Sequence, residues 1–140
     1  MTTISDLLVR NDNAQEINDA LEKLDSLSLC CDLILSSGTK TLAQALKSNT
    51  TILSIDLYGN KIGNDGLAYL CDELMTNSTL NSLDLAYNLI SDEGITSLKE
   101  LFETNRSLTS LGLGDNNIGN VGIKLLATLL KTNRTLLSLN

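Results

Sequence analysis

The chain of 140 residues has no histidine, no proline and no tryptophan, and only one phenylalanine and three tyrosines. Without imidazole there is no His-based metal site, no Ser-His-Asp triad and no Cys-His nucleophile pair. With aromatics at 3% of residues, a core has to be aliphatic, and leucine dominates the apolar set. Cysteine is sparse and odd in number, Cys30, Cys31 and Cys71, and the start Met1 to Asp6 lacks the basic, then apolar, pattern of a secretory signal. These features predict free thiols and a cytoplasmic location. Cations are also scarce: 10 Lys and Arg stand against 17 Asp and Glu, for a net charge of −7. Such a chain is repelled by phosphate backbones, which argues against a nucleic-acid partner. No apolar run is long enough for a membrane-spanning helix, and none is expected.

What remains is ordered. Hydrophobic residues make up 42% of the chain, enough for one domain with a sizeable core. Residues 1–23 read as an N-terminal helical cap. Ser5-Asp6-Leu7-Leu8 suggests a helix start, and Asn13 to Glu16 has the form of a capping box. Ala14, Ile17, Leu21 and Leu24 follow at helical spacing, which predicts an amphipathic helix over 13–23.

From Leu24 a pattern recurs every 28 residues without a gap. Its apolar columns open with Leu24, Ile52, Leu80, Leu108 and Leu136. Leu27, Ile55, Leu83, Leu111 and Leu139 follow, and then Leu29, Leu57, Leu85 and Leu113. A polar column, Asp32, Asn60, Asn88 and Asn116, precedes isoleucines at 34, 62, 90 and 118 and glycines at 38, 66, 94 and 122. Apolar residues at helical spacing come next, such as Ile95, Leu98 and Phe102. Asn49, Asn77, Asn105 and Asn133 close the units. Leucines two apart lie on one face of a strand. The asparagines can both donate and accept, so stacked copies form a structural ladder that satisfies turn backbone, with Asp32 as its weaker first rung. No unit buries its faces alone, so the units must stack into a solenoid. The units run 24–51, 52–79, 80–107 and 108–135, with a partial one at 136–140.

The pattern L-x-x-L-x-L-x-x-N-x-I-x-x-x-G followed by a helix resembles the ribonuclease-inhibitor-like class of leucine-rich repeat over residues 24–140. Relatives include the repeat regions of NOD-like receptors, tropomodulins, Ran GTPase-activating proteins and bacterial effectors. The resemblance implies an α/β leucine-rich-repeat horseshoe, with parallel strands on the concave face and helices on the convex face. It also implies a module that holds other proteins. Among effectors, the location would be a host cytosol. Unlike ribonuclease inhibitor itself, this chain is not cysteine-rich and does not alternate two repeat lengths.

Residues between the buried strand leucines face solvent. One such column is a run of serines at 26, 54, 82, 110 and 138, as suits a crowded concave face. Against it stand Asp56, Tyr58, Asp84, Tyr87 and Asp115, an acidic and aromatic set near the middle of the sheet. Tyrosine offers large contact area at low entropic cost, so these residues are the expected partner-binding surface. Neighbouring carboxylates alone, without pocket or nucleophile, do not make a general acid–base pair, and no enzyme activity, cofactor or metal is expected. A regulatory protein resembling the Ran activators is an alternative, but Arg106 and Arg134 sit in repeat turns. Self-association through the uncapped strand Leu136–Asn140 is another.

Four Asn-x-Ser/Thr triplets, at 49, 77, 105 and 133, have the form of glycosylation acceptors but coincide with a repeat column, so they read as helix ends and turns. The glycines 112, 114 and 119 lack dinucleotide-fingerprint spacing. Cys30 and Cys31, adjacent and expected to be exposed, have too few soft neighbours to form a metal site. Cys71 reads as a packing residue.

Overall fold

The structure, a computed structural model, describes residues 3–10 and 13–140. Met1, Thr2, Asn11 and Asp12, which belong to the segment read above as a cap, lie outside the described residues. Two short helices come first, α1 (Ile4–Arg10) and α2 (Ala14–Leu21). Helix α1 starts earlier than Ser5-Asp6 suggests, because Thr3 supplies the start. Its hydroxyl accepts from the Asp6 N–H at 3.0 Å, and its own N–H donates to the Asp6 carboxylate at 2.9 Å. The backbone bond, and then the hydroxyl, hold the Asp6 carboxyl below its ordinary value. Asn13 caps α2 by accepting from the Gln15 N–H at 2.9 Å. Glu16 does not close the box: its N–H goes to the Asn13 backbone carbonyl at 3.1 Å.

A strand and its helix then alternate: β1 (Ser26–Ser28), α3 (Ser36–Ser48), β2 (Ser54–Asp56), α4 (Gly63–Leu74) and β3 (Ser82–Asp84). In the third unit the helix is broken by Thr96 and Ser97 into α5 (Asp92–Ile95) and α6 (Leu98–Thr104). Strand β4 (Ser110–Gly112), α7 (Asn120–Thr132) and β5 (Ser138–Leu139) follow. The five strands form one parallel sheet in the order β1-β2-β3-β4-β5. Ser26 pairs with Ser54, Ser54 with Ser82, and Ser82 with Ser110, so the sheet register is the sequence period. Parallel neighbours need a crossover, and each helix supplies it.

Between sheet and helices runs one aliphatic core. Ile52, Leu57, Ile62, Leu70, Leu85, Ile90, Ile95 and Leu98 are fully buried, and Leu7, Leu8, Ile17 and Leu21 of the first two helices extend it. The core thins at both ends. Leu24, which begins the first leucine column, has no preceding rung to pack on and is 37% exposed. Leu136 and Leu139 at the other end are only partly buried. Gly38 is where α1 meets α3 most closely: a Cβ there would lie 2.7 Å from the Leu8 carbonyl oxygen. Gly66 is crowded by the Ile62 side chain of its own unit, whereas the last two glycines of the column make room for polar side chains of the preceding unit. A Cβ on Gly94 would meet the Asn64 amide oxygen, and one on Gly122 the Asp92 carboxylate, each at 2.5 Å. Those two side chains cross to the next unit. Asn64 accepts from the Ser91 N–H and donates to its hydroxyl, both at 2.9 Å, and Asp92 accepts from the Gly119 N–H at 2.6 Å.

Two asparagine ladders join the units. In the first, each side chain reaches back to the preceding turn. Asn60 donates to the Leu29 carbonyl and accepts from the Ile34 N–H, at 2.9 and 2.8 Å. Asn88 donates to Leu57 at 2.8 Å and accepts from Ile62 at 3.3 Å. Asn116 donates to Leu85 at 2.9 Å and accepts from Ile90 at 3.0 Å. Asp32 has no donors to offer and makes no such bond; it is half-buried, whereas Asn60 and Asn88 are 4% and 0% exposed. The second ladder is built from the Asn-x-Ser/Thr triplets. Asn77 donates to the Leu46 carbonyl and Asn105 to Leu74, both at 2.8 Å. Their oxygens accept from the N–H groups two and three residues on. The Thr79 and Ser107 hydroxyls also bond back to the preceding unit. Asn49, Asn77 and Asn105 are therefore buried architecture, closed to a glycan in the folded chain.

Replacing Asn88 tests the first ladder. Asn88→Ala should lower the free energy of unfolding by about 2 kcal/mol or more, the cost of buried groups left unpaired. Asn88→Asp should lower it further, because a carboxylate cannot donate to the Leu57 carbonyl and brings a charge into the core. Urea unfolding followed by circular dichroism reads both; an Asn88→Asp variant as stable as the parent would contradict this account of the ladder.

Candidate functional site

Along the solvent side of the sheet, Ser54, Ser82, Ser110, Ser138, Asp56 and Asp84 are half-buried, Ser26 and Ser28 of the first strand are exposed, and larger side chains stand out where the strands give way to their turns. Asp56 and Asp84 do the same local job. The Asp56 carboxylate accepts from the Tyr58 N–H and that of Asp84 from the Ala86 N–H, each at 2.9 Å. These bonds end the strands as Asx-type turns and fix the direction of the chain that follows. Asp56 also accepts from the Ser28 hydroxyl at 3.4 Å, a weak link across units. In the fourth unit the same column holds Gly112, and the Asp84 carboxylate lies where its Cβ would be. Read from sequence as contact residues, the two aspartates thus also hold the turns that carry the tyrosines.

The turn has a fixed backbone requirement. Cys31, Gly59, Tyr87 and Asp115 occupy one column, and all have left-handed φ, at 61°, 70°, 59° and 52°. The ladder continues through them, with Cys31 donating to the Tyr58 carbonyl, Gly59 to Ala86 and Tyr87 to Gly114, at 2.9, 3.0 and 2.9 Å. Glycine accepts this conformation freely and aspartate tolerates it, but it is strained for tyrosine. Tyr58 and Tyr87 lie one column apart, yet their rings stack, with centroids 6.0 Å apart and planes at 25°. They are 39% and 60% exposed. Asp115, the last of the expected contact residues, is exposed on the turn of the fourth unit, one period on from Tyr87.

Sequence reasoning missed two residues of this edge. Leu33 and Leu89 have left-handed φ of 58° and 63° and are 65% and 60% exposed. Amid so many buried leucines they pass for repeat residues; the signal was their place directly after the ladder column, where the other units carry Lys61 and Asn117. Those two pair instead with the preceding unit, Lys61 donating to the Ile34 carbonyl at 3.0 Å and Asn117 to Ile90 at 2.7 Å. From each strand through its turn, at 26–31, 54–59, 82–87, 110–115 and 138–140, there is no lysine or arginine. The face therefore carries the carboxylates of Asp56, Asp84 and Asp115 without an opposing charge of its own.

Other candidates take their places elsewhere. Cys71 is buried on α4, and burial pushes its thiol up to about 12. Arg106 donates to the Asn105 and Glu103 carbonyls at 3.1 and 2.8 Å, tied to the end of α6. Among the described residues there is no group of three or more His, Cys, Asp or Glu placed to hold a metal ion. No helix among them is long and apolar enough to cross a membrane.

A repeated strand, Asn-stabilised turn and helix, in register over a parallel sheet, define a leucine-rich-repeat solenoid. A family model described as "Leucine Rich repeat" matches residues 48–71, 76–99 and 104–127, and the chain belongs to that family. The successive matches begin one structural period apart. No curated protein matches the chain. Among solved structures, one described as "Leiomodin-1 Actin-Binding Site 2 (ABS2)" is similar with a TM-score of 0.83 and 23% identity, over 100% of this chain and 80% of that one. The tropomodulin C-terminal domain of Caenorhabditis elegans is similar with a TM-score of 0.64 and 13% identity, over 93% of this chain and 90% of that one. At these identities the likeness is one of fold.

An exposed leucine in left-handed backbone does nothing for folding that asparagine would not do better. Leu89→Asn should raise the free energy of unfolding by about 1 kcal/mol, the strain it relieves. Urea unfolding measures it, and a loss of stability of that size would show that Leu89 is held by packing.

Proposed function

We propose that the chain is a non-catalytic protein-interaction module whose partner seats on the concave side of the solenoid and is gripped by Tyr58 and Tyr87. The observation that carries this reading is the stacked, exposed tyrosine pair, of which Tyr87 is kept at a left-handed position that the fold would fill more cheaply with glycine or asparagine. Strain and exposed aromatic area together have no return in the folded chain; both are common features of contact sites. Asp56, Asp84 and Asp115 give the surface a negative field with no cation among them, so the partner presents a cationic surface there. Leu89 adds apolar area on the turn of the third unit. The first named protein to test is actin, because the leiomodin structure that shares the fold is described as an actin-binding site.

Tyr58→Ala with Tyr87→Asn is the informative variant, since asparagine suits the backbone at 87. It should keep the parent's unfolding midpoint and lose capture of partner proteins from cell extract, and parent binding should weaken as salt rises. Undiminished capture by this variant would remove the concave reading. Actin is scored separately by co-sedimentation, where failure would exclude that partner and leave the surface assignment standing.

Self-association is a second reading with its own observation. Beyond β5 lies an apolar hollow of about 380 Å³, lined by Leu113, Ile118, Ile123, Leu126, Leu130 and Leu139. If copies pair there, sedimentation equilibrium will show a concentration-dependent dimer that Leu126→Glu abolishes. A strict monomer at high concentration rules it out.

A further inference from the structure

We propose that Cys30 and Cys31 form a reversible modification site, a vicinal dithiol that closes to a disulfide on reaction with a hydroperoxide. Both thiols are exposed, and their sulfurs already lie 3.4 Å apart. The pairing is fixed by the fold. Cys31 belongs to the left-handed turn column, with φ of 61°, and its N–H is bound to the Tyr58 carbonyl at 2.9 Å. Its sulfur rests over Gly59, where a Cβ would lie only 2.7 Å away. In the next unit that same column holds Tyr87; here the missing side chain of Gly59 leaves a seat for the thiol.

The two sulfurs have different parts in the chemistry. The bond to Cys31, then desolvation, and then the charges of Cys31, Asp56 and Asp32 push the Cys30 thiol up to about 11, so Cys30 keeps its proton. Cys31 is then the sulfur that attacks first: having given up its proton, it bonds to the hydroperoxide oxygen and displaces an alkoxide, giving the sulfenic acid and, once the alkoxide takes up a proton, an alcohol or water. The Cys30 sulfur next attacks the Cys31 sulfur, the S–S bond forms, and hydroxide leaves with the Cys30 proton as water. Two thiols lose two electrons in total, and the peroxide bond gains them.

Closure is easily undone. Adjacent Cα atoms are held at about 3.8 Å by the peptide bond, inside the span of about 4.4 Å or more that ordinary disulfides prefer. The resulting strain, with full exposure, places the ring among the labile, reducible disulfides. Cys71, buried in the core, takes no part. This inference does not depend on the concave-face reading.

The whole chain is treated with graded hydrogen peroxide, denatured, alkylated and digested with trypsin. Lys23 and Lys40 bound a peptide that contains Cys30 and Cys31 and excludes Cys71. That peptide should lose two hydrogen masses and resist alkylation, and reduced glutathione should restore both thiols, while Cys71 stays alkylated throughout. Cys30→Ser and Cys31→Ser should each lose the internal bridge and take up glutathione from its oxidised form. Cys71→Ala should bridge like the parent. Covalent dimers or sulfinic acid as the parent's first product, or a bridge that glutathione cannot reopen, would overturn the proposal. So would alkylatable Cys30 and Cys31 in the parent at peroxide doses that modify the remaining thiol of the pair in the Cys30→Ser and Cys31→Ser variants.

Discussion

The solenoid depends on a side-chain amide that reaches back one unit and takes up backbone that no unit can satisfy by itself. A parallel sheet bonds its strands to one another, but here each strand is at most three residues long and most of the chain lies in helices and turns. The carbonyls of Leu29, Leu57 and Leu85 lie at the turn leaving each strand, and those of Leu46, Leu74 and Phe102 near the helix ends. All six receive an asparagine Nδ2 from exactly the same sequence distance, 31 residues on. Asparagine fits because it donates and accepts at one site, and the cost of leaving such groups dry and unpaired is what holds the period constant. Two ladders, one at each end of the helices, keep successive units parallel as well as adjacent.

That constraint sets the terms on which a surface can vary. The residue before the ladder column turns left-handed in all four units, whatever its side chain. Cys31, Gly59, Tyr87 and Asp115 are four answers to one backbone demand. The turn tolerates strain because bonds on both sides of it over-determine the conformation. It also redirects the side chain, and this lets Tyr87 stack on Tyr58 from a neighbouring column. At the proposed surface, charge and scaffold are therefore coupled at single residues: Asp56 and Asp84 hold the turns and supply carboxylates.

The repeat was legible because it is written in columns of one residue type: the strand leucines, the first asparagine ladder and the glycines all follow from the period. What was not legible depends on relations across columns or across pairs of units. The stack of Tyr58 on Tyr87 needs the left-handed turn, which no column states, because its residues are Cys, Gly, Tyr and Asp. Asn49, Asn77 and Asn105 form a visible column, yet their bonds to the preceding unit are invisible when each is taken only as the end of a helix. Asn64 and Asp92 share a column but bind their neighbours differently, one through an amide and one through a carboxylate. Leu33 and Leu89 were hidden by their type, since exposure of a leucine in a leucine-built chain is a fact of backbone direction alone.

The position of the candidate surface follows from the same logic. The end units have weaker rungs: Asp32 makes no ladder bond, Leu24 is exposed, and the core thins around Leu136 and Leu139. The second and third units are braced on both sides, and there the tyrosines and both capping aspartates are found. A surface that must keep its shape while bearing strained and exposed residues is best placed where neighbours fix it, because rigidity before contact reduces the ordering cost of binding. The Asp56 and Asp84 carboxylates are held by the N–H groups of Tyr58 and Ala86 and the rings by each other, so these negative and aromatic groups are set in place ahead of any partner. The proposed surface is thus centred on the part of the solenoid that is braced on both sides, with Asp115 at its margin.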